Sequence, residues 1–229
     1  MLIIADKKIP DDAKINLRKY GEVVLLETTG VTEESISGHP DIFFFSVQNK
    51  LIVAPNLPES YKKLLHKKNI SFIEGIENVE ENYPMAARYN AVATNKYFIH
   101  RTDISDPEII ESANHLTKIQ VRQGFTRCSL LPLRENNFIT SDDGIYKTLV
   151  NRGMQVLFVN PEQILLPGHP YGFFGGTCGI CDNTVFFLGS LTHYNDGENV
   201  KIFLKNLGYK IIELYDGPLF DGGSIIFIP

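Results

Sequence analysis

The sequence predicts an α/β fold of five repeated strand, strand, helix, strand units forming a propeller ring closed by the N- and C-termini, a single domain over residues 1–229. Three observations lead there. The phrase recurs in full four times along the chain, the two chain ends supply a fifth copy when joined, and the copies are nearly evenly spaced. Taking Ile3, Leu51, Tyr97, Phe138 and Val185 as second-strand markers, the spacings are 48, 46, 41 and 47, with 47 more around the join. A generic sheet of βαβ units would alternate similarly without closing. Joining the ends removes unpaired strand edges and ties down both termini, which favours the ring.

The first full copy reads Ile42 to Val47, then Leu51-Ile52-Val53, a helix opened by Pro58-Glu59 with Tyr61, Leu64 and Leu65 on one face, and Ser71-Phe72-Ile73. The second runs from Ala86 to Ala93, through Tyr97-Phe98-Ile99, into a helix begun by Asp106-Pro107-Glu108. There a capping residue, a first-turn proline and a first-turn acid are all helix-start signals. Ile109, Ile110, Ala113 and Leu116 face inward on that helix. The third comprises Cys128 to Leu133, Phe138-Ile139-Thr140, a helix from about Gly144 to Arg152, and Val156 to Val159, with Gly153 where a left-handed cap belongs. In the fourth, Val185 to Leu188 precede a helix carrying Val200, Phe203, Leu204 and Leu207, capped by Gly208 before Ile211-Ile212. The fifth joins Ser224 to Ile228 with Leu2 to Ala5, a helix after Pro10-Asp11-Asp12, and Val23 to Leu26.

Composition bounds the function. Hydrophobic residues at 43% and charged residues at 21% are enough to build a core. A net charge of -5 offers no basic field for a phosphate backbone, which argues against a nucleic-acid partner. Charge interrupts the apolar start at Asp6-Lys7-Lys8, too early for a signal peptide, so a cytoplasmic location is expected. The longest apolar run, Ile42 to Phe45, is far short of the ~20 residues of a membrane helix. Three cysteines without a secretion signal read as reduced thiols.

The stretch from Cys128-Ser129-Leu130-Leu131 through Asn151-Arg152-Gly153, with the late Asp221-Gly222-Gly223-Ser224-Ile225, resembles the pentein proteins. That group includes arginine and agmatine deiminases, dimethylarginine hydrolases, amidinotransferases and a ribosome anti-association factor. Gly175-Gly176-Thr177-Cys178-Gly179 also resembles an uncharacterised bacterial family of this size. The resemblance implies five units around a pseudo-fivefold axis, and it exposes two departures. The pentein hydrolases carry a nucleophilic cysteine two or three residues after the C-terminal glycines, where this chain has Ile225, Ile226 and Phe227. They carry a histidine at the start of the preceding unit, where this chain has Phe173, Phe174, Gly175 and Gly176. Attack on a guanidinium carbon needs an activated thiolate and a proton-transfer partner within reach, so that mechanism is not expected from those positions.

If the first strand of each unit lines the axis, the candidate ligand-binding residues are Arg88, Asn90, Arg127, Cys128, Gly175, Gly176, Cys178, Asp221 and Gly222, with Asp142 added as a carboxylate between a strand end and a helix, where the resemblance implies active-site carboxylates. Strand alternation turns about half of them away. Arg127 and Asp221 either hold opposite ends of a zwitterion or form an ion pair within the ring. The glycine pairs read as backbone approach to a ligand or as crowding at the axis. Asp142 reads as a helix cap or a catalytic carboxylate. Cys178-Gly179-Ile180-Cys181 is a lone CxxC without a second ligand pair, on a strand where residues three apart face opposite ways, so neither metal nor cofactor is expected. Cys128 reads as a buried hydrophobe, and His39 and His169, both in Gly-His-Pro turns, as linker residues.

These residues carry three readings: a binder of a small polar, amino-acid or guanidino-like metabolite, a non-catalytic interaction module like the ribosome-associated penteins, or a hydrolase using Cys128 or Cys178. They leave open whether the chain is an enzyme, and its oligomeric state.

Overall fold

The computed structural model describes all residues 1–229. Five three-stranded sheets organise the chain, and each joins an antiparallel hairpin to a parallel strand reached through a helix. The first is β1 (Leu2–Asp6), α1 (Asp11–Leu17) and β2 (Glu22–Leu26). The next contains α2 (Pro40–Phe43), β3 (Phe44–Val47), β4 (Lys50–Val53), α3 (Glu59–Lys67) and β5 (Ile73–Glu74). It is followed by β6 (Val92–Ala93), β7 (Tyr97–His100), α4 (Pro107–Ser112) and β8 (Thr117–Gln120). The fourth sheet belongs to α5 (Thr126–Ser129), β9 (Leu130–Pro132), β10 (Asn137–Thr140), α6 (Asp143–Val150) and β11 (Gln155–Phe158). The last full unit is β12 (Cys178–Cys181), β13 (Thr184–Phe187), α7 (Gly197–Asn206) and β14 (Lys210–Glu213), and β15 (Ile226–Ile228) ends the chain.

β15 pairs antiparallel with β1, Ile3 opposite Phe227, so the fifth unit is built from both termini. The five sheets remain separate, and none closes on itself. The middle strands β1 and β10 are buried throughout and β13 at all but its first residue, because each has a neighbour on both sides. The parallel third strands are half exposed or exposed and carry Glu22, Glu74, Gln120, Gln155 and Lys210 at their ends, charges and amides that discourage edge pairing.

Local signals hold where a mechanism stands behind them. The Asp106 carboxylate accepts from Glu108 N at 2.8 Å ahead of Pro107, and Gly153 and Gly208 end α6 and α7 at φ of 75°. The first strands differ from expectation. Ile42 and Phe43 lie in α2, Cys128 and Ser129 in α5, and Gly175–Thr177 form a 3-10 turn before β12. Between Ala86 and Ala93 only Val92–Ala93 is strand. The expected alternation of side chains therefore fails at those positions, because successive side chains of a helical turn are rotated by about 100° instead of pointing to opposite faces.

His100 gives the fold a pH dependence. Its ring is buried, bonded to Gly124 O at 2.9 Å and to Ser105 Oγ at 2.6 Å, and burial pushes its pKa down to about 4. The unfolded chain binds the extra proton first, so this contribution is complete above pH ~6.5 and is lost as pH falls toward 4, about 3 kcal/mol in all. Urea midpoints compared between pH 7 and 4.5 should fall less in His100→Gln than in the parent. Equal falls would contradict the assignment.

Candidate functional site

The segments entering the five first strands meet in a continuous circuit of hydrogen bonds. Asn90 Nδ2 donates to Asp41 O (3.3 Å), while Asn90 Oδ1 accepts from Arg127 N (2.7 Å) and Cys128 N (3.1 Å). The Arg127 guanidinium donates to Gly175 O (3.0 Å) and Cys178 O (3.2 Å). Ser224 N donates to Gly176 O (2.9 Å), and Asp41 N to Gly223 O (3.1 Å). Each junction is thus closed by a polar group whose partner lies in the neighbouring unit, as buried backbone demands.

Inside the circuit sits Asp41. Its Oδ2 accepts from Cys128 Sγ at 3.0 Å and Ser224 Oγ at 2.6 Å, while its Oδ1 has no partner. Asn90 Nδ2 also donates to Cys128 Sγ at 3.3 Å. Burial raises the Asp41 pKa, and burial together with the Asp41 carboxylate pushes the Cys128 thiol well above its usual range. Cys128 is consequently a protonated donor rather than a thiolate. Burial also takes Cys178 up to about 12. Brief alkylation at neutral pH should label Cys181, which is half exposed, and spare Cys128 and Cys178. Peptide mapping showing Cys128 modified first would contradict this.

Two cavities flank Asp41. One of about 210 Å³ contains Asp41, Arg127 and Ser224 and is lined by Phe45, Ala93, Pro132, Ile180 and Ile226, one residue from the first strand of every unit. The other, about 320 Å³, is bounded by His39, Cys128 and Asp221 with Phe125, Tyr171 and Phe173, and Glu33 and His169 complete its polar lining. Asp221 is 1% exposed; its oxygens accept from Phe173 N (2.8 Å) and Gly223 N (3.0 Å). Burial pushes its pKa up to about 7, and the Asp41 and Asp6 carboxylates add to the rise.

The candidates separate accordingly. Arg127 and Asp221 line different cavities, and no salt bridge joins them. Asn90, Arg127, Cys128, Gly175 and Gly176 belong to the circuit. Arg88 turns toward Glu80 (3.0 Å) and Glu77 (3.8 Å), and Asp142 caps α6 by accepting from Ile145 N at 2.7 Å. Cys178 packs under Phe174 and Gly175, and Gly222 packs against Ile9 and Leu188. Three residues outside that set matter as much. Asp41 and Ser224 stand at the centre, and His39 is no linker residue: it is 2% exposed, its Nε2 3.8 Å from Asp6 Oδ2. His169, in the other Gly-His-Pro turn, is exposed and bonded to Glu33. The available signal was position, since Gly38-His39-Pro40-Asp41 enters the first strand of its unit as Arg127-Cys128 enters that of another.

Five strand, strand, helix, strand units, one of them completed by both termini, define the pentein fold. Solved structures with this fold superpose over most of the chain. Agmatine deiminase from C. jejuni matches with a TM-score of 0.57 at 12% identity, covering 93% of this chain and 75% of that one. The dimethylarginine hydrolase DDAH from Pseudomonas aeruginosa, complexed with citrulline, matches with a TM-score of 0.53 at 11% identity over 93% and 91% of the two chains. An amidinotransferase from Microseira wollei matches at 0.51 and 12% identity over 93% and 87%. The chain itself belongs to DUF6873, a family of unknown function whose model matches residues 4–226. No curated protein sequence matches it. No helix is long and apolar enough to cross a membrane.

Proposed function

We propose that this chain binds a small cationic metabolite, an amine or guanidine, in the 320 Å³ cavity, with Asp221 as the counter-charge. The observation that carries the reading is a carboxylate buried in a cavity without any Lys or Arg side chain in its lining, beside three aromatic rings. Buried charges are normally paired. An incoming ammonium or guanidinium would supply the missing cation, and the rings of Phe125, Tyr171 and Phe173 suit its apolar flanks and its charge. The volume sits at the small end of the roughly 300–1,000 Å³ of ligand pockets. Similar folds include a dimethylarginine dimethylaminohydrolase and an agmatine deiminase, named for guanidino compounds, which supports the same ligand class. The reading places the five sheets around one axis in a single domain over 1–229, supported by the hydrogen-bond circuit and by the cavity that all five first strands line.

Thermal unfolding against a panel of amino acids, amines and guanidino compounds tests the proposal. A true ligand at ~100 times its dissociation constant stabilises by about 2.7 kcal/mol, roughly 5–10 °C for a chain of this size. Asp221→Asn should abolish that shift. No cationic compound raising the transition, or carboxylates raising it equally, would refute the assignment.

A second reading, hydrolysis by Cys128, is favoured by its position on the same cavity beside His39 and Asp41. It requires the thiol to lose the proton it donates to Asp41. Turnover of a guanidino compound that vanishes in Cys128→Ser would establish it; an unchanged rate would exclude it.

A further inference from the structure

The cluster at the back of the 320 Å³ cavity has a chemistry that cation recognition leaves unused. His39, Asp41 and Cys128 each place a donor atom within 4.8 Å of the other two, and all three side chains are buried. Two of them are incompletely bonded: neither ring nitrogen of His39 has a hydrogen-bond partner, nor has Asp41 Oδ1, although both residues are only 2% exposed. Buried polar atoms left bare are destabilising, so three at one point call for a missing partner. A second organic cation would not suit them, since a neutral imidazole and a thiol offer it little. A metal ion suits all three.

We infer that His39, Asp41 and Cys128 form a binding site for a divalent transition metal of zinc type, with a further coordination position toward the cavity that His39 and Cys128 line. The donor set is one nitrogen, one oxygen and one sulfur, the mixture zinc accepts at roughly 2.0–2.3 Å, and three protein ligands with one open position is the arrangement of reactive zinc sites. Hard cations such as magnesium would reject the thiolate, and copper(I) sites favour soft sulfur ligands without a carboxylate. The Cys128 proton, now given to Asp41 Oδ2, leaves to solvent as the sulfur–metal bond forms. Thiolate and carboxylate together then balance the two positive charges. Asp6 completes the arrangement from behind: its Oδ2 is unpartnered and lies 3.8 Å from His39 Nε2, where it can take the ring N–H while the other nitrogen binds the ion. Asp6 is thus a positioning residue.

The three ligands come from the units of the second and fourth sheets, and Cys128 is 87 residues from Asp41, so no compact metal motif exists to be read from the chain. The CxxC at Cys178 and Cys181 is separate, because Cys178 faces the core and Cys181 contacts Met1.

The test uses metal-free full-length protein and no organic ligand, which keeps its outcome independent of cation binding at Asp221. Titration with Co²⁺ should produce a thiolate-to-cobalt charge-transfer absorption that saturates at one equivalent, and dialysed zinc-loaded protein should hold one zinc by elemental analysis. Cys128→Ser should remove the absorption and weaken zinc at least 100-fold, whereas Asp6→Asn should weaken it about 10- to 100-fold while keeping the absorption. Should Cys128→Ser not fold, Cys178→Ser and Cys181→Ser serve instead: the absorption surviving in both assigns it to Cys128, and its loss in either overturns the site. Absence of stoichiometric cobalt or zinc in the parent protein overturns it directly.

Discussion

Gly175→Ala is expected to destabilise the protein by about 3 kcal/mol, seen as a fall of about 6–12 °C in the unfolding midpoint. A Cβ at this position would stand 2.8 Å from Cys128 O and 2.9 Å from Leu130 N, and closer still to Arg127 O. All three are backbone atoms of α5 and the strand that follows it, so no side chain can swing aside. The backbone would have to move, and with it the turn that holds Arg127 and Cys128. Gly176 differs, because its Cβ would meet the Asp221 carboxylate. Crowding therefore accounts for Gly175, while substitution of Gly176 should disturb the cavity through Asp221. An unchanged midpoint for Gly175→Ala, measured by calorimetry, would mean that the two units are packed more loosely than described.

Arg127→Ala is expected to cost about 3 kcal/mol without any ligand present. Its two guanidinium bonds to Gly175 O and Cys178 O span the junction between two units, and charge-assisted bonds to buried carbonyls contribute ~1.5–3 kcal/mol each, reduced here because Arg127 is half-buried. Arg127→Lys should recover only part of this, since one ammonium on a flexible stem cannot reproduce the planar fork. Urea denaturation reports both variants, the midpoint falling while the slope holds. Because Gly175 supplies one acceptor, the losses of Gly175→Ala and Arg127→Ala should not add. Additive losses would deny the coupling. If Arg127→Ala leaves stability intact, the side chain serves the smaller cavity instead of the junction.

The architecture was legible because it rests on local periodicity. Some helix starts came with a chemical signal, as at Asp106-Pro107-Glu108, and two helix stops with a left-handed glycine, at Gly153 and Gly208. The pairing of Ile226–Ile228 with Leu2–Ile4 followed from noticing that the two ends complete one phrase. The candidate site was only partly legible. Asn90, Arg127, Cys128 and Asp221 were chosen because they flank first strands, yet Arg88, chosen on the same rule, turns to an ion pair with Glu80, and Asp142, chosen at a strand end ahead of a helix, takes the capping role that was one of its two readings. His39 and Asp41 escaped because a Gly-His-Pro turn reads as a connection.

The sequence by itself determined the repeat, the order of its strands with one helix after each second strand, and the absence of a cysteine after the C-terminal glycines. Only the tertiary structure decided which polar groups share one desolvated space: Ser224 and Asp41 stand 183 residues apart in the chain and 2.6 Å apart in the fold. The physical reason is a difference of range. Helix and strand formation depends on neighbours a few residues away, which the sequence spells out in order. Burial of a carboxylate, loss of a thiol's acidity and the bare nitrogens of His39 depend on what other units bring to the same point, and that is set by packing across the whole chain.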